Sequence, residues 1–206
     1  MSAAPEWLHR LGPPEPLLAE IERRALDLGL EAHSFDIGRL LEIVAGGPSV
    51  ARVLEVGRGL GFSTVCLARG ATTARVLSID RAADHLGEVR GFLAQAEVEE
   101  RVTLLTGEPL QLVEALEERF HLIHLAVPLA DMLRLIDRVL PLLVVGGVLT
   151  AEGLLEPEGE ESDRARAVGG YLVMHPQLQA QILPIGRGLG LARKMQPLVT
   201  EMGGPY

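Results

Sequence analysis

Apolar residues recur along this chain in two rhythms. Between Pro13 and Leu28, residues Leu17, Leu18, Ile21, Ala25 and Leu28 fall at helical spacing, with prolines ahead of them and Gly29 behind, which predicts an amphipathic helix. A second helix is predicted from Phe35 to Ala45, opened by Ser34 as N-cap and stopped by Gly46-Gly47-Pro48. After Ser49 the rhythm changes to short apolar runs at 51–56, 74–79, 101–106, 120–126 and 147–152. The segments between them (GFSTVCLA, AADHLGEVRGFLAQA, EPLQLVEALEE and ADMLRLIDRVL) keep helical spacing.

Strand and helix therefore alternate. The runs are apolar almost throughout rather than at every second position, which predicts parallel strands covered on both faces. The fold class expected is α/β, a doubly wound and mostly parallel sheet with helices on both faces. Residues 156–163 (EPEGEESD) read as a solvated acidic connection, followed by a helix from about Ser162 to Met174. The tail LQAQILPIGRGLGLARK reads as two strands around a turn at Gly186, a hairpin at the sheet edge. At 206 residues the chain is expected to form one domain, with N-terminal helices (1–48) packed on a core (49–206).

Composition narrows the function classes. Charged residues make up 23% and hydrophobic residues 48%, values of a chain that buries a core. The balance of 19 basic against 28 acidic residues gives a net charge of -9, and the seven Phe, Tyr and Trp offer little base stacking, so a nucleic-acid partner is not expected. The start MSAAPEW lacks the basic-then-apolar layout of a secretory signal. The longest apolar run, Val139 to Leu149, is broken by Pro141 and Gly146-Gly147 and is too short to span a membrane. The single cysteine, Cys66, excludes an intrachain disulfide, and a cytoplasmic protein with no membrane partner is expected.

The candidate chemistry sits after the first strand run, in Glu55-Val56-Gly57-Arg58-Gly59-Leu60-Gly61-Phe62-Ser63. Glycines let a ligand lie against the backbone, and the following helix offers free N–H groups. The spacing is G-x-G-x-G, not the G-x-G-x-x-G of dinucleotide sites. Asp80 ends the second strand run, where a carboxylate can accept ribose hydroxyls, so a nucleoside ligand is expected more than a nicotinamide dinucleotide.

VLEVGRGLGFSTVCLA, followed by VLSIDRAADHLGEVRGFLAQAEVEERVTLLTGEPLQLV and ending in LPIGRGLGLARK, resembles the class I S-adenosylmethionine-dependent methyltransferases. Within them it is similar to the small-molecule O-methyltransferases of the catechol and caffeoyl-CoA type, over about residues 34–194. The resemblance implies a seven-stranded sheet with the last strand antiparallel and S-adenosylmethionine as cofactor. It implies that Glu55, Gly57, Gly59, Gly61, Phe62 and Ser63 surround the amino-acid end of that cofactor. Asp80 with Arg81 would hold its ribose side, Gly107 and Glu108 would flank the adenine, and Ala126 would line the site. Pairing as a homodimer is implied too, and Leu178, Ile182 and Leu189 of the hairpin, with the N-terminal helix, are expected to contribute to it.

Relatives of this type hold a divalent cation with two acidic residues and an asparagine, and deprotonate the acceptor with a lysine. Here Ala126 stands for the metal aspartate and Leu129 for the lysine, and Glu152-Gly153 stands for the Asp-Asn pair. The chain has no asparagine, and its only lysine is Lys194. Glu152 alone is too little for a magnesium-type ion, so no metal is expected. His124, His33 and Glu152 are the candidate catalytic groups. His124 reads either as a base near the mouth or as a histidine satisfied inside the sheet, and Glu152 as a base or a cap. The expected activity is methyl transfer to an oxygen of a small molecule without a metal. The alternative is a homologue that binds the cofactor, or acts as a scaffold, without catalysis.

Overall fold

The computed structural model describes residues 15–31, 34–155 and 159–196. Two helices, α1 (Pro16–Asp27) and α2 (Phe35–Ala45), precede an alternation of β1 (Arg52–Val56), α3 (Phe62–Gly70), β2 (Arg75–Asp80), α4 (Leu86–Gln95), β3 (Val102–Thr106) and α5 (Pro109–Glu114). It continues through β4 (Phe120–Leu125), α6 (Leu129–Val139), β5 (Leu143–Glu152) and α7 (Gly159–Met174), and closes with β6 (Leu178–Leu183) and β7 (Leu189–Lys194). The sheet order is β3-β2-β1-β4-β5-β7-β6. β1 to β5 pair in parallel, while β7 runs antiparallel to both β5 and β6. The expected seven-stranded sheet with an antiparallel last strand is the one observed.

Side chains that alternate along the central strands feed two cores. Val53, Val76 and Leu122 join α1, α2, α3 and α4 on one face. Leu54, Ile79 and Ile123 join α5, α6 and α7 on the other. The N-terminal helix is part of the first core: Leu17, Leu18, Ile21 and Ala25 are its buried face. Pro16 opens the helix, as expected, and Glu15 caps it, its carboxylate accepting from the Leu18 N–H at 3.2 Å. Helix α2 occupies the expected residues, but the Ser34 side chain makes no capping bond.

Two expectations need correction. β5 begins at Leu143, four residues before the run read from the sequence, and its pairing with β4 slips between Phe120 and Leu122. Gly146-Gly147 makes an irregularity within a strand and not its start, so a glycine pair that reads as a break is a bulge. Of the apolar residues offered for self-association, Leu178 and Leu189 prove to be core, buried within the chain, while Ile182 is half-buried.

Candidate active site

The C-terminal ends of β1, β2 and β4 meet at the glycine loop. Gly57 has φ +89 and its N–H donates to Ile79 O at 2.8 Å, while the Ala126 N–H donates to Val56 O at 2.9 Å. Loop and strand ends are thus laced together by backbone. Asp80 completes the lacing: one carboxylate oxygen accepts from the Arg58 and Gly59 N–H groups at 2.8 and 3.1 Å, the other from the Ala82 N–H at 2.7 Å. Three of its roughly four acceptor positions are filled, and the carboxylate still reaches the cavity.

A row of polar side chains crosses the sheet beneath the loop, because Ser78, Glu55, His124 and Thr150 are in register on neighbouring strands. Glu55 is fully buried and accepts from the hydroxyls of Ser63 (2.6 Å), Thr64 (2.6 Å) and Ser78 (2.5 Å). Three hydroxyl donors replace its water shell. His124 is equally buried, with Nδ1 at 2.8 Å from Thr150 Oγ1 and Nε2 at 3.1 Å from Glu152 Oε1. That second approach has the length of an ion pair without the alignment of a hydrogen bond.

Two cavities open over these residues and share Gly57, Ala126, Val127 and Pro128 in their walls. The smaller, about 120 Å³, is bounded by Asp80, Arg81, Glu108, Pro109, Leu110 and Asp131. Across its wall Arg81 forks onto Glu108 at 2.9 and 3.1 Å and lies 3.6 Å from Asp131. The larger, about 390 Å³, lies against Ile21, Ser34, Ile37, Gly59, Leu60, Phe62, Glu152 and Gly153, with the Arg187–Glu31 ion pair in its wall.

Of the residues singled out from sequence, Gly57, Gly59, Phe62, Asp80, Arg81, Glu108, Ala126 and Glu152 line one or both cavities. Glu55, Gly61, Ser63, Gly107 and His124 line neither. Glu55 and Ser63 bond each other beneath the loop, and His124 reaches the site only through Glu152. His33 lies outside the described residues. Cys66 is buried in α3, and burial pushes its thiol far above the ordinary range, as befits a packing residue. Sequence reading missed Arg58, whose side chain is buried although it sits between two loop glycines. Its signal was a charge in a position where only small residues are needed.

The donor set does not suit a divalent cation. Ala126 and Gly153 offer no side-chain oxygen, Glu152 is turned toward His124, and the described residues contain no group of three or more His, Cys, Asp or Glu that could hold a metal. An adenosine-bearing sulfonium ligand suits the residues better. Gly59 has open space where a side chain would project, and the carboxylates of Asp80, Glu108 and Glu152 line a cleft that would take a cation.

Residues 54–152 match the family described as a methyltransferase domain. The chain is 31% identical over 173 residues to a catechol O-methyltransferase of Mycobacterium tuberculosis, covering 79% of each. A cofactor-bound crystal structure from MTB is similar with a TM-score of 0.83 and 26% identity, over 95% of this chain and 100% of that one. The O-methyltransferase TomG of Streptomyces achromogenes, solved with SAM, shares the fold with a TM-score of 0.81 at 20% identity, over 92% and 95% of the two chains.

Proposed function

Since the chain belongs to the class I S-adenosylmethionine-dependent O-methyltransferases, we propose that it methylates a hydroxyl of a small molecule without a divalent cation, with the donor lying across the two neighbouring cavities. The observation that carries this reading is that the two cavities are neighbours, sharing Gly57, Ala126, Val127 and Pro128 in their walls, at the strand ends where the glycine loop leaves room against the backbone at Gly59. The smaller cavity suits the adenosine half, with Asp80 toward the ribose and Glu108 beside the base. The larger suits the amino-acid half and, beyond it, the acceptor.

When bound, the donor supplies a methyl group on a positively charged sulfur. The chain's own contribution is mostly placement: the laced loop and strand ends hold a rigid floor, and the walls of α1 and α2 exclude water. As the C–S bond breaks and the C–O bond forms, the acceptor's proton has to leave its oxygen. In this reading Glu152, one of the carboxylates in the wall of the larger cavity and at the end of β5, accepts it, and His124 at 3.1 Å orients that carboxylate from below. The Mycobacterium tuberculosis relative makes diphenols the first acceptors to try. The reading includes a cytoplasmic protein and a twofold dimer of this chain.

Calorimetry with S-adenosylhomocysteine, followed by turnover of S-adenosylmethionine with a phenol and catechol panel, tests the proposal. Expected are 1:1 binding, a methyl ether product, and a rate unchanged by a chelator. Turnover that a chelator abolishes and magnesium restores refutes the metal-free part. A protein that binds NAD and neither sulfur ligand refutes the whole.

A further inference from the structure

Arg58 is 1% exposed, and its guanidinium faces backbone and a hydroxyl instead of a carboxylate. Nη1 donates to Leu105 O at 2.9 Å and, at 3.5 Å, to Ser78 O. Nη2 donates to Thr106 Oγ1 at 3.1 Å and to Ala82 O at 3.3 Å. Its own N–H donates to the Asp80 carboxylate at 2.8 Å. One side chain therefore joins the glycine loop to the ends of β2 and β3 and to the turn after β2. These anchor points interleave with the wall of the smaller cavity: Ser78 and Ala82 flank Asp80 and Arg81, and Leu105 and Thr106 precede Glu108.

We propose that Arg58 is a positioning residue for the methyl donor: it touches no ligand but fixes the two loops that form the adenosine wall. The inference rests on the reading of the cleft as a donor site. A space-filling role alone would be served by Leu or Met without removing a cation from water, which is unfavourable until compensating bonds are made. Only a planar fork of donors reaches carbonyls on two strands at once. Burial lowers the pKa of the guanidinium, and the fields of Asp80 and Glu55 oppose that shift, so it is held as a cation under the loop.

The test compares wild type with Arg58→Met and with Thr106→Val, which removes one acceptor at an exposed position. Hydrogen exchange is followed in the ligand-free proteins, and S-adenosylhomocysteine is titrated into each. In Arg58→Met, amides at 80–83 and 105–108 are expected to exchange at least tenfold faster, with those at 148–151 unchanged. Its ligand Kd should rise at least tenfold, with kcat at saturating donor and acceptor within twofold of wild type, the pattern of lost uniform binding. Thr106→Val should give faster exchange at 105–108 and about threefold weaker binding. Wild-type exchange and affinity in a folded Arg58→Met overturn the proposal. If that variant does not fold, unchanged exchange and affinity in Thr106→Val overturn it. Faster exchange in a chain whose wild type binds no S-adenosylhomocysteine overturns the donor reading instead, and the positioning role with it.

Discussion

At Gly57 a side chain has nowhere to go: a Cβ would stand 2.1 Å from Ala126 O, with φ at +89. Gly59 is the opposite case, φ +51 with nothing within 4 Å of the added carbon. The two glycines therefore separate folding from binding. Gly57→Ala must push β1 from β4 and is expected to cost about 2–4 kcal/mol of stability, read as a lowered denaturant midpoint. Gly59→Val adopts a strained left-handed backbone at about 1–2 kcal/mol, stays folded, and projects its side chain into the larger cavity. Calorimetry should find no donor binding by that variant, and wild-type affinity in it would remove the loop from the ligand's path. Asp80→Ala frees three backbone N–H groups and removes the carboxylate proposed to accept the ribose hydroxyls, so donor binding should weaken by about 1.5–3 kcal/mol. Unchanged affinity in a folded Asp80→Ala would show that the carboxylate serves the loop alone.

Helices α1, α2 and α3 form the layer that walls the larger cavity, and two carboxylates in it respond to acid in opposite senses. Glu15 caps α1 and meets Arg69 of α3 at 2.9 Å, and that hydrogen bond holds its pKa below the ordinary 4.5. A carboxylate lowered on folding stabilises above its unfolded pKa, and the benefit is lost as the pH falls through the folded value. Glu42 of α2 is raised by burial, so its charge costs stability at neutral pH and protonation relieves that cost. At pH 7, Glu15→Gln should therefore melt below wild type, by up to about 1 kcal/mol for so exposed a pair, and Glu42→Gln above it. Both differences should close below about pH 4; differences of the same sign would break this account of the layer. The helices themselves were legible because their apolar spacing and stop signals are local. The start of β5 was not: Gly146-Gly147 carries the same letters whether it ends a turn or bulges a strand, and only pairing with β4 decides. The site was legible where the backbone forms it, at Gly57, Gly59 and Asp80. The polar row of Ser78, Glu55, His124 and Thr150 beneath the loop was not, since it depends on the register between strands, which no sequence spacing displays.

Over the whole molecule, exposed apolar surface and sheet edges decide what the fold can dock against. No helix among the described residues is long and apolar enough to cross a membrane. The exposed large apolar side chains among the described residues are spread over the fold, with Leu26 on α1, Ile43 on α2, Val145 on β5 and Val173 and Met174 on α7. What the fold leaves unmet is backbone. β3 and β6 are the sheet's two edge strands, and neither VTLLT nor LQAQIL carries a charged residue or proline of the kind that blunts an edge. No residue of β3 or β6 lines either cavity, but Leu105 and Thr106 at the end of β3 are gripped by Arg58 and lie just before Glu108 in the wall of the smaller one, whereas β6 has no such link. A twofold axis through β6 would pair two copies antiparallel, satisfy both rows of N–H and C=O groups, and leave both clefts open. Light scattering at micromolar concentration should then give twice the chain mass of 22.2 kDa. Gln181 is exposed on β6, and Gln181→Lys sets like charges facing each other across the axis. That variant should run as a monomer with its donor affinity intact. A wild-type mass equal to one chain would refute the dimer, and a Gln181→Lys protein that remains paired would move the contact to another face.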